Sequence, residues 1–205
     1  MTPIVVFADV SCPFTHVALH RLVERRHSLG RTEPRLQVRA WPLELVNGSP
    51  TEPELVAEEI VELRRQVAPD LFRGFDPASF PGTSLPALAL AAAAYRRDLV
   101  TGEAVSLDLR RALFEHGRSI ADRAVLASIA DRYDLALPDK RDQDAPVDDW
   151  NAGRARGVVG SPHFFLSEES MFCPTLDISR DESDQLHVTF DHAAAEHFYE
   201  RALGT

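Results

Sequence analysis

The chain has 205 residues, 44% of them hydrophobic and 26% charged, which allows a sizeable core and argues against wholesale disorder. A formal net charge of −10 argues against nucleic acid or an anionic membrane as partner, because either needs a basic footprint. No apolar stretch approaches the roughly 20 residues of a spanning helix, and the N-terminal apolar run lacks the length and basic flank of a signal peptide, so cytoplasmic residence is the expectation.

Residues 3–8, with Ile4-Val5-Val6-Phe7 at their centre, read as a short buried strand bounded by Pro3 and Asp9. From Pro13 to about Ser28 the pattern is helical. Val17, Leu19, Leu22 and Val23 lie on one side and Arg21, Glu24, Arg25 and Arg26 on the other, with Gly30 as the stop. Leu36, Val38 and Ala40 alternate as a second strand ending near Pro42. A strand–helix–strand unit of this kind connects parallel strands.

The pattern then turns helical for about 85 residues, 51–135. Thr51 and Glu54 have capping-box spacing ahead of Leu55, Val56, Ile60, Leu63 and Val67 at helical period. A Pro- and Gly-rich loop, 69–84, leads to an alanine-rich helix, 85–98, that is capped by Thr83 or Ser84 and should be buried. Two amphipathic helices follow, one over 106–117 stopped by Gly117 and one over 122–135 capped by Asp122. Past Pro138 come a helix at roughly 144–156, the turn Ser161-Pro162 and an apolar strand. Residues 176–179 and 186–190 alternate like a hairpin, and Asp191 caps a final helix, 192–203. With the helical block removed, the order β-α-β-α-β-β-α is that of a thioredoxin fold. The expected organisation is therefore α/β: a discontinuous thioredoxin-fold domain, 1–50 and 136–205, with a helical insertion, 51–135.

Cys12 and Cys173 are the two cysteines, and in a cytosolic chain they read as free thiols rather than a staple. Cys12 falls just beyond a strand, at the start of a helix. Unpaired N–H groups and the positive end of the macrodipole converge there, which favours thiolate and predicts a pKa below about 7.5. Pro13 suits the first helical position. His16, four residues on, reads either as a thiolate partner in imidazolium form or as a surface histidine. Thr15 can give the sulfur a hydroxyl hydrogen bond but cannot attack a disulfide. A lone cysteine on an apolar helix also reads as a small buried hydrophobe. Strand, Cys-Pro-aromatic and helix inside a β-α-β unit shift the reading toward a reactive thiol. Phe164 and Phe165 read as core of the strand after Pro162, and the histidines show no metal-ligand spacing.

The segments "DVSCPFTHVAL", "FEHGRSIADRAVLASIADRYDL" and "NAGRARGVVGSPHFFL" together resemble the DsbA-like thioredoxin family. The branch they resemble is that of FrnE and 2-hydroxychromene-2-carboxylate isomerase, with kappa-class glutathione transferases as close relatives. The resemblance implies that Cys12 is the nucleophile, with Pro13, Phe14, Thr15 and His16 completing its motif. It also implies that Pro162 is a cis-proline beside the nucleophile and that the backbone of Ser161 pairs with an extended peptide or thiol substrate. The chain departs from the disulfide-exchanging branch at Thr15, where that branch has a second cysteine. The implied activity is monothiol exchange or thiol transfer, with glutathione or mycothiol as co-substrate. Mycothiol is suggested by an Arg-rich composition in which Lys140 is the sole lysine, a mark of a GC-rich genome. The alternatives are a kappa-like transferase or isomerase acting on a small electrophile, and a redox-silent binding module. Cys173 is the one other thiol that can resolve a disulfide. If the chain turns at Glu168-Glu169, it would return opposite Phe164, although Pro174 argues for a broken or edge strand.

Overall fold

The computed structural model describes residues 2–167 and 169–204. Ile4–Ala8 forms β1, Pro13–Ser28 forms α1 and Leu36–Ala40 forms β2. The two strands run parallel, Ile4 opposite Leu36 and Ala8 opposite Ala40, as a helical crossover requires. Six helices follow: α2 (Leu43–Asn47), α3 (Pro53–Gln66), α4 (Leu85–Arg97), α5 (Leu99–Phe114), α6 (Arg123–Arg132) and α7 (Lys140–Ala155). The chain then forms β3 (His163–Phe165), β4 (Ser170–Phe172), β5 (Leu176–Arg180), β6 (Leu186–Phe190) and α8 (His192–Leu203).

The main sheet has the order β2-β1-β3-β4, with β3 antiparallel to both of its neighbours. Period-2 alternation gives it two buried faces. On one, Ile4, Val6, Leu36 and Phe164 pack against Leu19 and Leu22 of α1 and Phe198 of α8. On the other, Phe7 meets Trp41 and Val158 under α7. Gly153 permits that approach, because a Cβ there would sit 2.7 Å from the Trp41 ring. The edge strand β2 is closed by side chains. Leu36 N donates to Glu103 Oε2 (2.6 Å), Val38 N to the Tyr95 hydroxyl (3.0 Å) and Ala40 N to Asp149 Oδ2 (2.9 Å). An open edge would otherwise present a row of unpaired N–H groups.

Several boundaries differ from the sequence expectations. Glu52, not Thr51, is the N-cap of α3, because Pro53 takes the first helical position. Helix α5 begins seven residues earlier than the periodicity suggests, capped by Asp98, whose side chain accepts from Thr101 N (2.7 Å). Helix α7 also starts early. Asp139 and Asp142 form a capping box, and Pro146 is accommodated inside the helix rather than at its start. The short helix α2 has no periodic signal. Strand β4 completes the main sheet, while the expected hairpin, β5 and β6, forms a separate two-stranded sheet. Its Leu176, Leu186 and Val188 share a core with Val56, Ile60 and Leu63 of α3.

Candidate functional site

The junction of β1 and α1 is shaped by Asp9, a residue that sequence reasoning used only as a strand boundary. Its Oδ1 accepts from Ser11 N and Ser11 Oγ, both at 2.9 Å, and its Oδ2 from Leu43 N (2.6 Å) and Ser84 Oγ (3.1 Å). Burial pushes this carboxyl up, and the four hydrogen bonds oppose the push. The Asp-x-Ser spacing, an Asx-turn signature, was the available signal.

Cys12 is the N-cap of α1 and Pro13 its first residue. The thiol is 3% exposed and its S–H donates to the carbonyl oxygen of Ser161 at 3.3 Å. The Ser161–Pro162 peptide bond is cis. Thr15, fully buried, places Oγ1 2.8 Å from Ser161 Oγ, which also accepts from Asp9 N at 2.9 Å. Phe14 is half-buried against the large helical core. Cys12, Thr15, Ser161 and Pro162 thus converge from positions about 150 residues apart in sequence.

The expected low thiol pKa is corrected. Burial pushes the Cys12 thiol above its ordinary value of 9.0. Contacts from Thr15 and Ser161 favour thiolate, and the charge of half-buried Glu59 on α3 disfavours it. The helix terminus still stabilises negative charge, but a sulfur this removed from water loses more in hydration than the dipole returns. Glu59 is itself pushed up to about 7 by burial.

Both readings of His16 are also corrected. The ring is 3% exposed, packs on Phe72 and Phe114, and has Nε2 2.8 Å from Glu115 Oε1. Burial pushes the imidazole down, the Glu115 carboxylate opposes that push, and Nε2 donates to the acceptor-only carboxylate. Glu115 also accepts from Phe72 N (2.8 Å), tying α1 to the loop before α4. His16 positions the helix rather than pairing with the sulfur.

Cys173 lies at the end of β4, with N–H donating to Pro162 O at 2.9 Å and φ of +45°. The expected register was off by two residues: Met171, not Cys173, stands opposite Phe164. Leu166 N donates to Glu169 O, so the turn is centred one residue earlier than a Glu168-Glu169 turn; Glu168 itself lies outside the described residues. Burial, with some repulsion from Cys12, pushes the Cys173 thiol up to about 12.

Among the described residues, no three His, Cys, Asp or Glu side chains are placed to hold a metal ion, and no helix is long and apolar enough to cross a membrane. The fold resembles solved structures at low identity. A 2-hydroxychromene-2-carboxylate isomerase aligns with TM-score 0.63 and 16% identity, covering 83% of this chain and 88% of the other. The cytosolic disulfide reductase DsbM from Pseudomonas aeruginosa, solved with GSH, aligns with TM-score 0.64 and 17% identity over the same shares. A putative protein disulfide isomerase from Nitrosomonas europaea gives 0.58 and 13%, again over 83% and 88%. No curated protein matches the chain. Residues 3–182 match the DSBA-like thioredoxin domain, and the chain is therefore a member of that family, with its thioredoxin-like α/β fold.

Proposed function

We propose that the protein is a monothiol thiol–disulfide oxidoreductase or thiol transferase with Cys12 as nucleophile. The observation that carries this reading is the contact of the Cys12 sulfur with the Ser161 carbonyl, in a motif whose fourth position is a hydroxyl rather than a thiol. A substrate that pairs with the Ser161 backbone displaces the S–H from that carbonyl, and the freed sulfur loses its proton to solvent. The thiolate then attacks a disulfide, forming one mixed S–S bond and expelling the other sulfur as thiolate. A second small thiolate attacks the mixed disulfide, releases Cys12 and carries away the substrate sulfur as a new disulfide. Glutathione is the first candidate for that thiol, because the DsbM structure was solved with it, and mycothiol is the second. Cys173, held as a buried thiol, takes no part in this cycle. Cytoplasmic residence fits a thiol-dependent cycle.

A second reading is favoured by the hydrogen-bonded hydroxyls of Thr15 and Ser161, 2.8 Å apart. They offer a place to hold the sulfur of a bound thiol that adds to a small electrophile, as in a thiol-dependent isomerase or transferase. One assay pair separates the two. Wild type and Cys12→Ser are compared in glutathione-coupled reduction of a small disulfide. Cys12→Ser should abolish exchange, and exchange retained by that variant overturns the first reading. Thiol-dependent turnover of an electrophile that survives Cys12→Ser and is lost in Thr15→Val supports the second.

A further inference from the structure

The turn that brings Ser161 to the thiol is anchored by a side chain that the thiol chemistry does not use. Residues 156–162 lead from the C-terminal end of α7 to β3, along the sheet face that carries Phe7 and Trp41. Val158 is buried in that face and Val159 is 68% exposed. Gly160 lies against the Phe172 ring, which an added Cβ would meet at 2.4 Å. Among the described residues, the main-chain amides of Val159, Gly160 and Ser161 give one hydrogen bond: Val159 N donates to His163 Nδ1 at 3.2 Å.

His163 is itself fixed by the sheet. It is 6% exposed and stands opposite Phe7 of β1 and Phe172 of β4. Its ring stacks on Phe165 with centroids 4.8 Å apart and meets the Phe172 ring edge-on at 6.3 Å. The strands therefore set the place of Nδ1, and the turn follows it. A backbone N–H can only donate, so Nδ1 is the acceptor and the neutral ring carries its proton on Nε2. The three phenylalanines around the ring do not titrate. The charge that reaches it is that of Arg156, whose guanidinium lies 3.9 Å from the Phe165 centroid. Burial first, and then Arg156, favour the unprotonated imidazole.

We propose that His163 is a positioning residue for thiol exchange: its Nδ1 latches the backbone at Val159 and so fixes where Ser161 meets the Cys12 sulfur and the substrate. The inference rests on the reading of Cys12 as nucleophile and of the Ser161 backbone as the substrate's pairing partner. A proton on Nδ1 sets donor against donor, so the latch is closed above the ring's folded pKa and released as pH falls through it. Release weakens a pairing made alike in the bound complex and the transition state, which raises KM and leaves kcat in place.

Two variants separate this role from a merely structural one. His163→Phe keeps a ring in the aromatic stack and removes the acceptor. His163→Asn keeps an acceptor near the Nδ1 position and takes up no proton in this range. Glutathione-coupled reduction of a small disulfide is followed from about pH 5 to 8. In the wild type, KM should rise as pH falls below about 6.5. His163→Phe should show a KM raised roughly two- to tenfold at neutral pH, the range of one neutral hydrogen bond, with kcat within about twofold. His163→Asn should keep the wild-type KM at neutral pH and lose the acid rise. Should His163→Asn fail to fold, nitrogen-15 spectra of the wild type decide. Nδ1 should resonate as an unprotonated acceptor at neutral pH, and the Val159 and Ser161 amides should shift with the midpoint of the His163 ring. Amides indifferent to that titration, an unchanged KM in His163→Phe, or an acid rise that persists in His163→Asn overturns the inference. If the wild type exchanges no disulfide, the reading of Cys12 fails and the amide titration alone decides the latch.

Discussion

Thr15→Val tests what the motif's hydroxyl does for the thiol. The side chain is fully buried and the replacement nearly isosteric, so the chief change is loss of Oγ1 beside Cys12 and Ser161. Thr15 contributes the largest of the influences that favour thiolate at Cys12, working against burial. A hydrogen bond to a charged group is worth about 1.5–3 kcal/mol, and each 1.36 kcal/mol is a factor of ten in the ionised fraction. Burial holds the wild-type thiol above the ordinary cysteine range, so thiolate is the minor form at neutral pH and its fraction sets the alkylation rate. Iodoacetamide alkylation of Cys12, followed by intact mass against pH, should therefore give a wild-type midpoint above that of an ordinary exposed thiol. Thr15→Val should alkylate roughly ten- to a hundredfold more slowly at any pH below that midpoint. Unfolding curves run in parallel exclude a loosened site as the cause. A wild-type midpoint below about 7.5 would show that the helix terminus outweighs burial. An unchanged or faster rate in the variant would refute the role given to Thr15.

Three further outcomes follow from the geometry. Glu103→Gln removes the carboxylate that holds buried Arg26 and should cost about 3–5 kcal/mol in urea unfolding at pH 7. Despite burial, the hydrogen bonds from Arg26, Leu36 and Arg35 hold the Glu103 carboxyl below 4.5, so its contribution is present above that pH and lost as pH falls through the lower folded value. The variant's deficit should narrow on acidification. Mild oxidation and non-reducing peptide mapping should find Cys12 carrying a small thiol or an intermolecular bond, and a Cys12–Cys173 linkage would end the monothiol reading. Phe164→Ala empties a fully buried position between the sheet and α8 and should cost about 3–5 kcal/mol, measured by urea unfolding, with a loss under 1 kcal/mol arguing against that packing.

What the sequence made legible was local. An apolar run, a proline at a helix start, a glycine at its end and an alternating second strand describe β1-α1-β2 without reference to the rest of the chain, and the parallel register agrees. The Ser161-Pro162 turn was readable because its residues carry their backbone preference with them. Strand β4 was only half readable. Three residues between an acidic turn and a Cys-Pro pair are too few for periodicity to register, and an error of one residue in the turn displaced its partners by two.

The electrostatics of the site were not legible, because they are set by distant partners. His16 finds its carboxylate 99 positions away and Cys12 its acceptor 149 positions away. Arg110 and Arg111 are neighbours of one residue type on one helix, yet Arg110 is buried under the strand–helix junction while Arg111 is exposed and pairs with Asp108 at 3.0 Å. A helix turns 100° per residue, so adjacent arginines must face different surroundings, and only the packing says which one is desolvated. The same reasoning accounts for the thiol. A helix N-terminus is a local feature that raises the expectation of a thiolate, but the sulfur is buried and meets Ser161, a residue from outside the motif. In the resting structure the Cys12 S–H donates to a backbone carbonyl, and in the proposed cycle ionisation is coupled to displacement of that contact. On that proposal a substrate that pairs with the Ser161 backbone releases the sulfur as it binds, whereas a small alkylating agent with no such pairing meets the buried thiol.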